Sequence, residues 1–236
     1  MSIITVSSLL LAAGLSMVHT TAAQLTLAQS DFSTGDSIEP FFECTFRRPS
    51  YAAVSNGELE VFFDEKDYDG TRVDRGIEIC ADTAPVTREL WHGFSILVPA
   101  EYPDNKQSII SQHFCSGGCS SWCATLDIQG NSLQLDHRSS CSPTGFPSNI
   151  IVDDIPRDKW HDVVINARFS NAEDGHYIVW WDGKIIYSAE DINLGFDSAW
   201  TSDGRMTVGV GFKNGQYNAG ECQRDRITSS AQSRRY

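Results

Sequence analysis

The dipeptide Asp182-Gly183 constrains the fold of this chain more than any other feature. It separates Tyr177-Ile-Val-Trp-Trp181 from Lys184-Ile-Ile-Tyr187, two runs rich in β-branched and aromatic residues. Asp-Gly tolerates the positive φ angles that a two-residue turn demands, so the stretch predicts a tight β-hairpin. Alternating or largely apolar runs recur at 57–63, 71–80, 90–99, 108–114, 124–128, 132–137, 149–152, 159–169 and 206–217. Each reads as a strand. No segment sustains a helical period, and no repeat or Pro- or Ser-rich linker divides the chain. Short strands with turn signals between them predict an all-β sandwich of two antiparallel sheets. Residues 24–49, with Phe32, Phe41, Phe42 and Phe46 as anchors, are expected to wrap one edge. A length of 236 residues suits a single domain of this class.

Residues 1–23 read as a secretory signal peptide. They contain the apolar run Leu9-Leu-Leu-Ala-Ala-Gly-Leu15 and the small residues Thr21-Ala-Ala23 for cleavage. The run is too short for a spanning helix. The mature protein, 24–236, is therefore expected to be secreted, extracellular and without a membrane partner. Seven cysteines follow the leader, at 44, 80, 115, 119, 123, 141 and 222. In an oxidising compartment they read as disulfides, with one left over and the pairing open. The net charge of −13 argues against a nucleic-acid partner. It leaves room for an anionic polysaccharide, provided that positive side chains are concentrated at the site.

Such a concentration is legible at 206–217. Gly211, Lys213, Gly215 and Tyr217 alternate along a strand and so share one face. A cation, a bare backbone step and a phenol make a shallow floor for an extended anionic chain. A second stretch, Ser108-Ile-Ile-Ser-Gln112-His113-Phe114, sets polar heads in what otherwise reads as a buried strand. The acidic turn at 64–70 could hold calcium through its carboxylates, or be simply solvated.

Taken in order, Trp91-His-Gly-Phe-Ser-Ile-Leu-Val-Pro99, Gln112-His113, Lys159-Trp-His-Asp-Val-Val164, Trp181-Asp-Gly-Lys184 and Lys213-Asn-Gly-Gln-Tyr217 resemble the β-jelly-roll polysaccharide lyases. The resemblance is greatest to the fungal glucuronan lyases of polysaccharide lyase family 20, with the jelly-roll alginate lyases as more distant cousins. It covers roughly 57–217. It implies a concanavalin-like jelly roll whose concave sheet holds a uronate polymer. It also implies β-elimination, without water as a reactant. By that resemblance Gln112 hydrogen-bonds the substrate carboxylate and Tyr217 protonates the departing O4, with a further role in taking the C5 proton. His113 is the candidate base. Arg75, Lys213 and Gly215 line the substrate. No cofactor is required for the chemistry, and a structural calcium is suggested by the resemblance together with the acidic turn. The enzyme is expected to be a monomer.

Adjacent residues on a regular strand point to opposite sheets. If Gln112 faces the cleft, His113 faces the core unless a bulge intervenes, and His92, His137 and His161 are reserve bases. The tail after Tyr217 is polar, from Glu221 to Tyr236, and does not read as a core strand. The domain is thus expected to lack its last strand, as a truncated or mis-spliced form would. Alternatives to a glucuronan lyase are an alginate lyase and a non-catalytic, lectin-like carbohydrate-binding sandwich presenting Trp122, Trp180 or Trp200. A glycoside hydrolase would need two carboxylates about 5–5.5 or 6.5–9.5 Å apart, and no strand presents such a pair in an obvious Glu-x-Asp-x-x-Glu pattern.

Overall fold

In the computed structural model, the described residues are 32, 37–39, 41–45, 51–63, 76–80, 89–102, 104, 107–115, 121–139, 145–170, 172–194, 210–218 and 225–230. They form fourteen strands and no helix: β1 (Phe42–Thr45), β2 (Tyr51–Ser55), β3 (Glu58–Phe63), β4 (Gly76–Cys80), β5 (Glu89–Leu97), β6 (Gln107–Cys115), β7 (Ser121–Gln129), β8 (Ser132–His137), β9 (Ser148–Val152), β10 (Trp160–Arg168), β11 (Gly175–Trp181), β12 (Lys184–Ile192), β13 (Val210–Asn218) and β14 (Asp225–Ser230). Among these residues no helix is long and apolar enough to cross a membrane.

The strands make two antiparallel seven-stranded sheets. The first runs β1-β4-β13-β6-β7-β8-β9 and the second β12-β11-β10-β5-β14-β3-β2. The expected all-β jelly-roll sandwich is the observed fold. Period-2 alternation explains how the sheets meet. Ala124, Leu126 and Ile128 of β7 and Leu133 and Leu135 of β8 face inward from the first sheet. Phe94 and Ile96 of β5, Val163 and Ile165 of β10 and Val179 of β11 meet them from the second. Leu126, Leu133, Leu135 and Ile165 are fully buried, each worth about 1.5–3 kcal/mol relative to exposure. A smaller cluster of Phe32, Val54, Leu59, Val61 and Ile79 closes the other end.

The Asp182-Gly183 hairpin forms as its sequence predicts. Both residues take positive φ, 49° and 77°. The Asp182 carboxylate is tied back to β10: it accepts the backbone N–H of Asp162 at 3.0 Å and lies 2.9 Å from His161 Nδ1. The His161 ring stacks on Trp181 at 4.5 Å between centroids, and its Nε2 lies 3.1 Å from the Pro156 carbonyl. That histidine is a clamp on the turn, not a reserve base.

Two expectations are corrected here. The segment 24–49 is not merely a wrap, since it contains β1, which pairs with β4 at the edge of the first sheet. The polar tail does supply a strand: β14 inserts between β3 and β5, pairing Ile227 with Val61 and Thr228 with Leu97. The slot between two existing strands offers backbone hydrogen bonds on both sides, and that pairing recruits a sequence whose side-chain pattern alone does not announce a strand. The leader at 1–23, the acidic turn at 64–70 and Cys119, Cys141 and Cys222 lie outside the described residues, as do Arg75 and Trp200.

Candidate active site

The face of the first sheet that points away from the second carries an unbroken cross-strand row. Phe42 pairs with Cys80, Cys80 with Lys213, Lys213 with Gln112, Gln112 with Thr125, Thr125 with Asp136 and Asp136 with Ser148. All seven strands contribute. Directly opposed residues share a face with Cβ atoms about 4.5–5.5 Å apart. A second row, one step along, runs Gly76, Tyr217, Ile109, Asp127, Gln134 and Ile150. The register therefore brings the positions of Gln112, Lys213 and Tyr217 to one face. Gly215, opposite Glu78 on β4, lies between the two rows.

Two irregularities set this arrangement. On β6 the register shifts between Ile109 and Ser111, opposite Asp127 and Leu126. On β13 it shifts between Asn214 and Tyr217, against Ser111 and Ile109. The extra residues bend the ladder so that Ile109 and Gln112, three apart, both belong to the outer face. No bulge separates Gln112 from His113. His113 pairs with Ala124, a core residue, and is itself fully buried.

The candidate base is thus corrected on geometry. The His113 ring lies between the sheets, edge-on to His92, Phe169 and Tyr177. Its Nδ1 is 2.9 Å from the Tyr177 hydroxyl. Burial, helped by the neighbouring His92, pushes its pKa well below 6.5. It cannot reach a substrate on the outer face. His92 is also directed inward, with burial lowering its pKa to about 3. His137 bridges the sheets, its Nε2 3.1 Å from the Tyr187 hydroxyl.

The outer face holds groups that the strand pattern alone did not mark as functional. Gln112 is only 8% exposed and Asp127 2%, and Thr125 and Asp136 are buried beside them. Gln107 Nε2 donates to Asp127 Oδ2 at 3.1 Å, and Gln134 Nε2 donates to Asp136 Oδ1 at 3.0 Å. Burial and the adjacent Asp136 carboxylate raise the Asp127 pKa from 3.8 to about 7. The signal was present in Ala-Thr125-Leu-Asp127-Ile, where polar residues alternate with apolar ones. Beyond the Gln112 row, the Arg138 guanidinium lies 4.1 Å over the Trp122 ring and its Nε donates to the Trp122 carbonyl at 2.6 Å. Trp122 belongs to this region, but Trp180 does not. It stacks on Trp91, 52% exposed, at 5.5 Å on the outer face of the second sheet. Among the described residues no group of three His, Cys, Asp or Glu is placed to hold a metal ion.

The family model described as "Polysaccharide lyase" matches residues 60–232. The chain belongs to the polysaccharide lyase family. The match includes every position of both outer-face rows except Phe42, and it makes this an enzyme of the polysaccharide lyase class. Solved structures share the lyase fold at low sequence identity. An endo-β-1,4-glucuronan lyase from the fungus Trichoderma reesei superposes with a TM-score of 0.57 at 14% identity, covering 86% of this chain and 91% of that one. An alginate lyase from Pseudomonas aeruginosa gives 0.55 at 16%, covering 80% and 86%. A cellulose-induced protein, Cip1, gives 0.58 at 11%, covering 86% and 94%. No curated protein matches the chain significantly by sequence.

Proposed function

We propose that this polysaccharide lyase cleaves a β-1,4-linked polyuronate, glucuronan, by β-elimination on the outer face of the first sheet. The observation that carries the reading is the register: Lys213 directly opposite Gln112, with Tyr217 on the same face one row away. The C5 proton of a uronate becomes acidic only when its carboxylate is neutralised. The Gln112 amide donates to that carboxylate and Lys213 supplies the positive charge. Donors fixed in advance, in a site largely withdrawn from water, stabilise the enolate-like transition state more than mobile solvent does. The Tyr217 phenol protonates the departing O4. With His113 turned into the core, Tyr217 is also the group that takes the C5 proton: as phenolate it removes that proton, and the phenol so formed passes it to the departing O4, leaving Tyr217 as phenolate again. General acid–base help of this kind is worth about 10²–10⁴-fold. Gly215 and Arg75 complete the substrate-binding set.

The same proposal includes export after loss of the leader and action as a monomer on an extracellular anionic polysaccharide. Disulfide pinning of the loops by the chain's seven cysteines, with the pairing open, belongs to the same proposal. A structural calcium would be held by Asp64, Glu65, Asp67 and Asp69, which offer the oxygen ligands that a hard cation takes. It supplies no step of the elimination.

Product analysis tests the reading. Incubation with polyglucuronate, and separately with alginate, is followed by mass spectrometry of the oligosaccharides. Elimination yields non-reducing ends one water lighter than hydrolysis does. Unsaturated products from polyglucuronate support the proposal. Unsaturated products from alginate alone reassign the substrate, and saturated products refute the elimination.

A further inference from the structure

Asp127 has no place in the elimination as described, yet it sits in the same cross-strand row as Tyr217, with Ile109 between them. Asp136, diagonal to it across Gln134, belongs to the Gln112 row. Diagonal neighbours on antiparallel strands have Cα atoms about 7–8 Å apart, with their Cβ atoms somewhat closer. Both carboxyl groups are buried. Gln107 donates to Asp127 Oδ2, and Asp127 Oδ1 has no hydrogen-bond partner among the described residues. Two buried acids, Asp127 held by Gln107 and Thr125 and Asp136 by Gln134, therefore lie under the face on which we place a polyanion.

Two buried carboxylates at this spacing resist simultaneous ionisation. A polyuronate laid over them adds further negative charge through a medium of low effective dielectric. We infer that Asp127 determines the affinity of this face for polyanionic substrate through its own charge, and that substrate binding favours its neutral, protonated form. The inference rests on the polyuronate reading of the site. Asp127 touches no reacting atom in this account, so it is a specificity-determining residue and not a catalytic one.

The groups around it leave few competing titrations. From β6 it faces Gln107 and Ile109, neither of which titrates, and from β8 it faces Gln134 and Asp136. Thr125, on its own strand, is uncharged, and the β9 positions beyond are Ser148 and Ile150. On β13 the nearest positions are Tyr217, in its own row, and Lys213, in the next. The inward histidines 92, 113 and 137 all have lowered pKa values and stay neutral above pH 6.5. A free uronate carboxylate is already ionised at pH 6. A fall in affinity centred near pH 7 is thus the signature of Asp127.

The experiment measures the KM and Kd of polyglucuronate from pH 5.5 to 8.5 for the full chain, Asp127→Asn and Asp136→Asn. For the unmodified protein the affinity falls about tenfold across that range, the equivalent of one pKa unit of coupling. Calorimetric titration at pH 7 in two buffers of different ionisation enthalpy shows net proton uptake. Asp127→Asn abolishes both effects and holds the high affinity at pH 8.5. Asp136→Asn removes the like charge and moves the midpoint to lower pH. A pH dependence that persists unchanged in Asp127→Asn, or a midpoint unmoved in Asp136→Asn, overturns the inference while leaving the substrate reading intact. Failure of all three proteins to bind polyglucuronate or alginate at any pH overturns the substrate reading and this inference with it.

Discussion

The Tyr177 hydroxyl and His113 Nδ1 lie 2.9 Å apart across the interface of the two sheets. This single contact joins β11 of one sheet to β6 of the other and holds the strand that carries Gln112. It gives His113 a structural duty one residue away from Gln112, the donor we propose for the substrate carboxylate. Burial raises the Tyr177 pKa well above 10, so the phenol stays protonated. Removing the hydroxyl by Tyr177→Phe leaves a buried imidazole nitrogen short of a partner. The expected cost is about 1–3 kcal/mol of unfolding free energy, read from urea denaturation at pH 7. The kcat of the remaining folded enzyme stays within a few-fold of the original, because the bond is not part of the chemistry.

The inward histidines make the fold acid-sensitive. Burial lowers the His92 pKa from 6.5 to about 3 and puts His113 well below 6.5. The unfolded chain binds more protons than the folded one below pH 6.5, so stability rises with pH through that window and is lost as pH falls from about 6.5 toward 3. Denaturant midpoints at pH 7, 5 and 4 are expected to drop progressively. In His92→Phe the drop between pH 7 and 4 is smaller than in the parent, whatever the variant's stability at pH 7.

Asp127 acts in the opposite direction. Its pKa is raised from 3.8 to about 7 by burial and then by Asp136. A carboxyl raised in the folded state destabilises the fold as pH climbs from about 4 to 7, since the unfolded chain gives up its proton first. A shift of this size corresponds to about 4 kcal/mol at most. Asp127→Asn is therefore expected to raise the melting temperature more at pH 8 than at pH 5. An equal change at both pH values would show that the group does not titrate as described.

The hairpin depends on Asp182 for two reasons. Its φ is positive, and its carboxylate binds the Asp162 N–H and His161. Asp182→Ala loses both and is expected to cost about 1–3 kcal/mol. Asp182→Asn, which tolerates the same backbone conformation and keeps an acceptor for the Asp162 N–H, recovers part of that loss. Thermal unfolding of the two variants side by side decides it.

Much of this fold was legible because alternation and turn chemistry act locally. The Asp182-Gly183 turn and the runs that became β3, β5, β6, β8 and β10 follow from period and residue type alone. Asp225–Ser230 was not legible, because its place depends on the gap between β3 and β5 and not on its own side chains. The site was half legible. Lys213, Gly215 and Tyr217 line up by simple alternation, but their pairing with β6 depends on bulges that no local pattern reveals. Adjacency of Gln112 and His113 already implied that the two face opposite sides of the sheet, and the pairing of His113 with Ala124 turns His113 inward. Asp127 escaped because an acid in a strand ordinarily marks a solvated face, whereas here it is buried.

Loss of Gln112 tests the donor role directly. Gln112→Ala removes the amide that we propose binds the substrate carboxylate and is expected to reduce kcat about 10²–10³-fold. KM changes far less if the donor acts mainly in the transition state. Circular dichroism of the variant, unchanged from the parent, confirms that the sheet survives.

The decisive measurement is the ultraviolet absorbance of newly formed unsaturated uronide while polyglucuronate is incubated with the parent protein and with Tyr217→Phe. The account predicts a steady rise with the parent and a rate at least about 10²-fold lower with Tyr217→Phe, while polymer binding persists. A flat trace with the parent, or an undiminished rise with Tyr217→Phe, would contradict it.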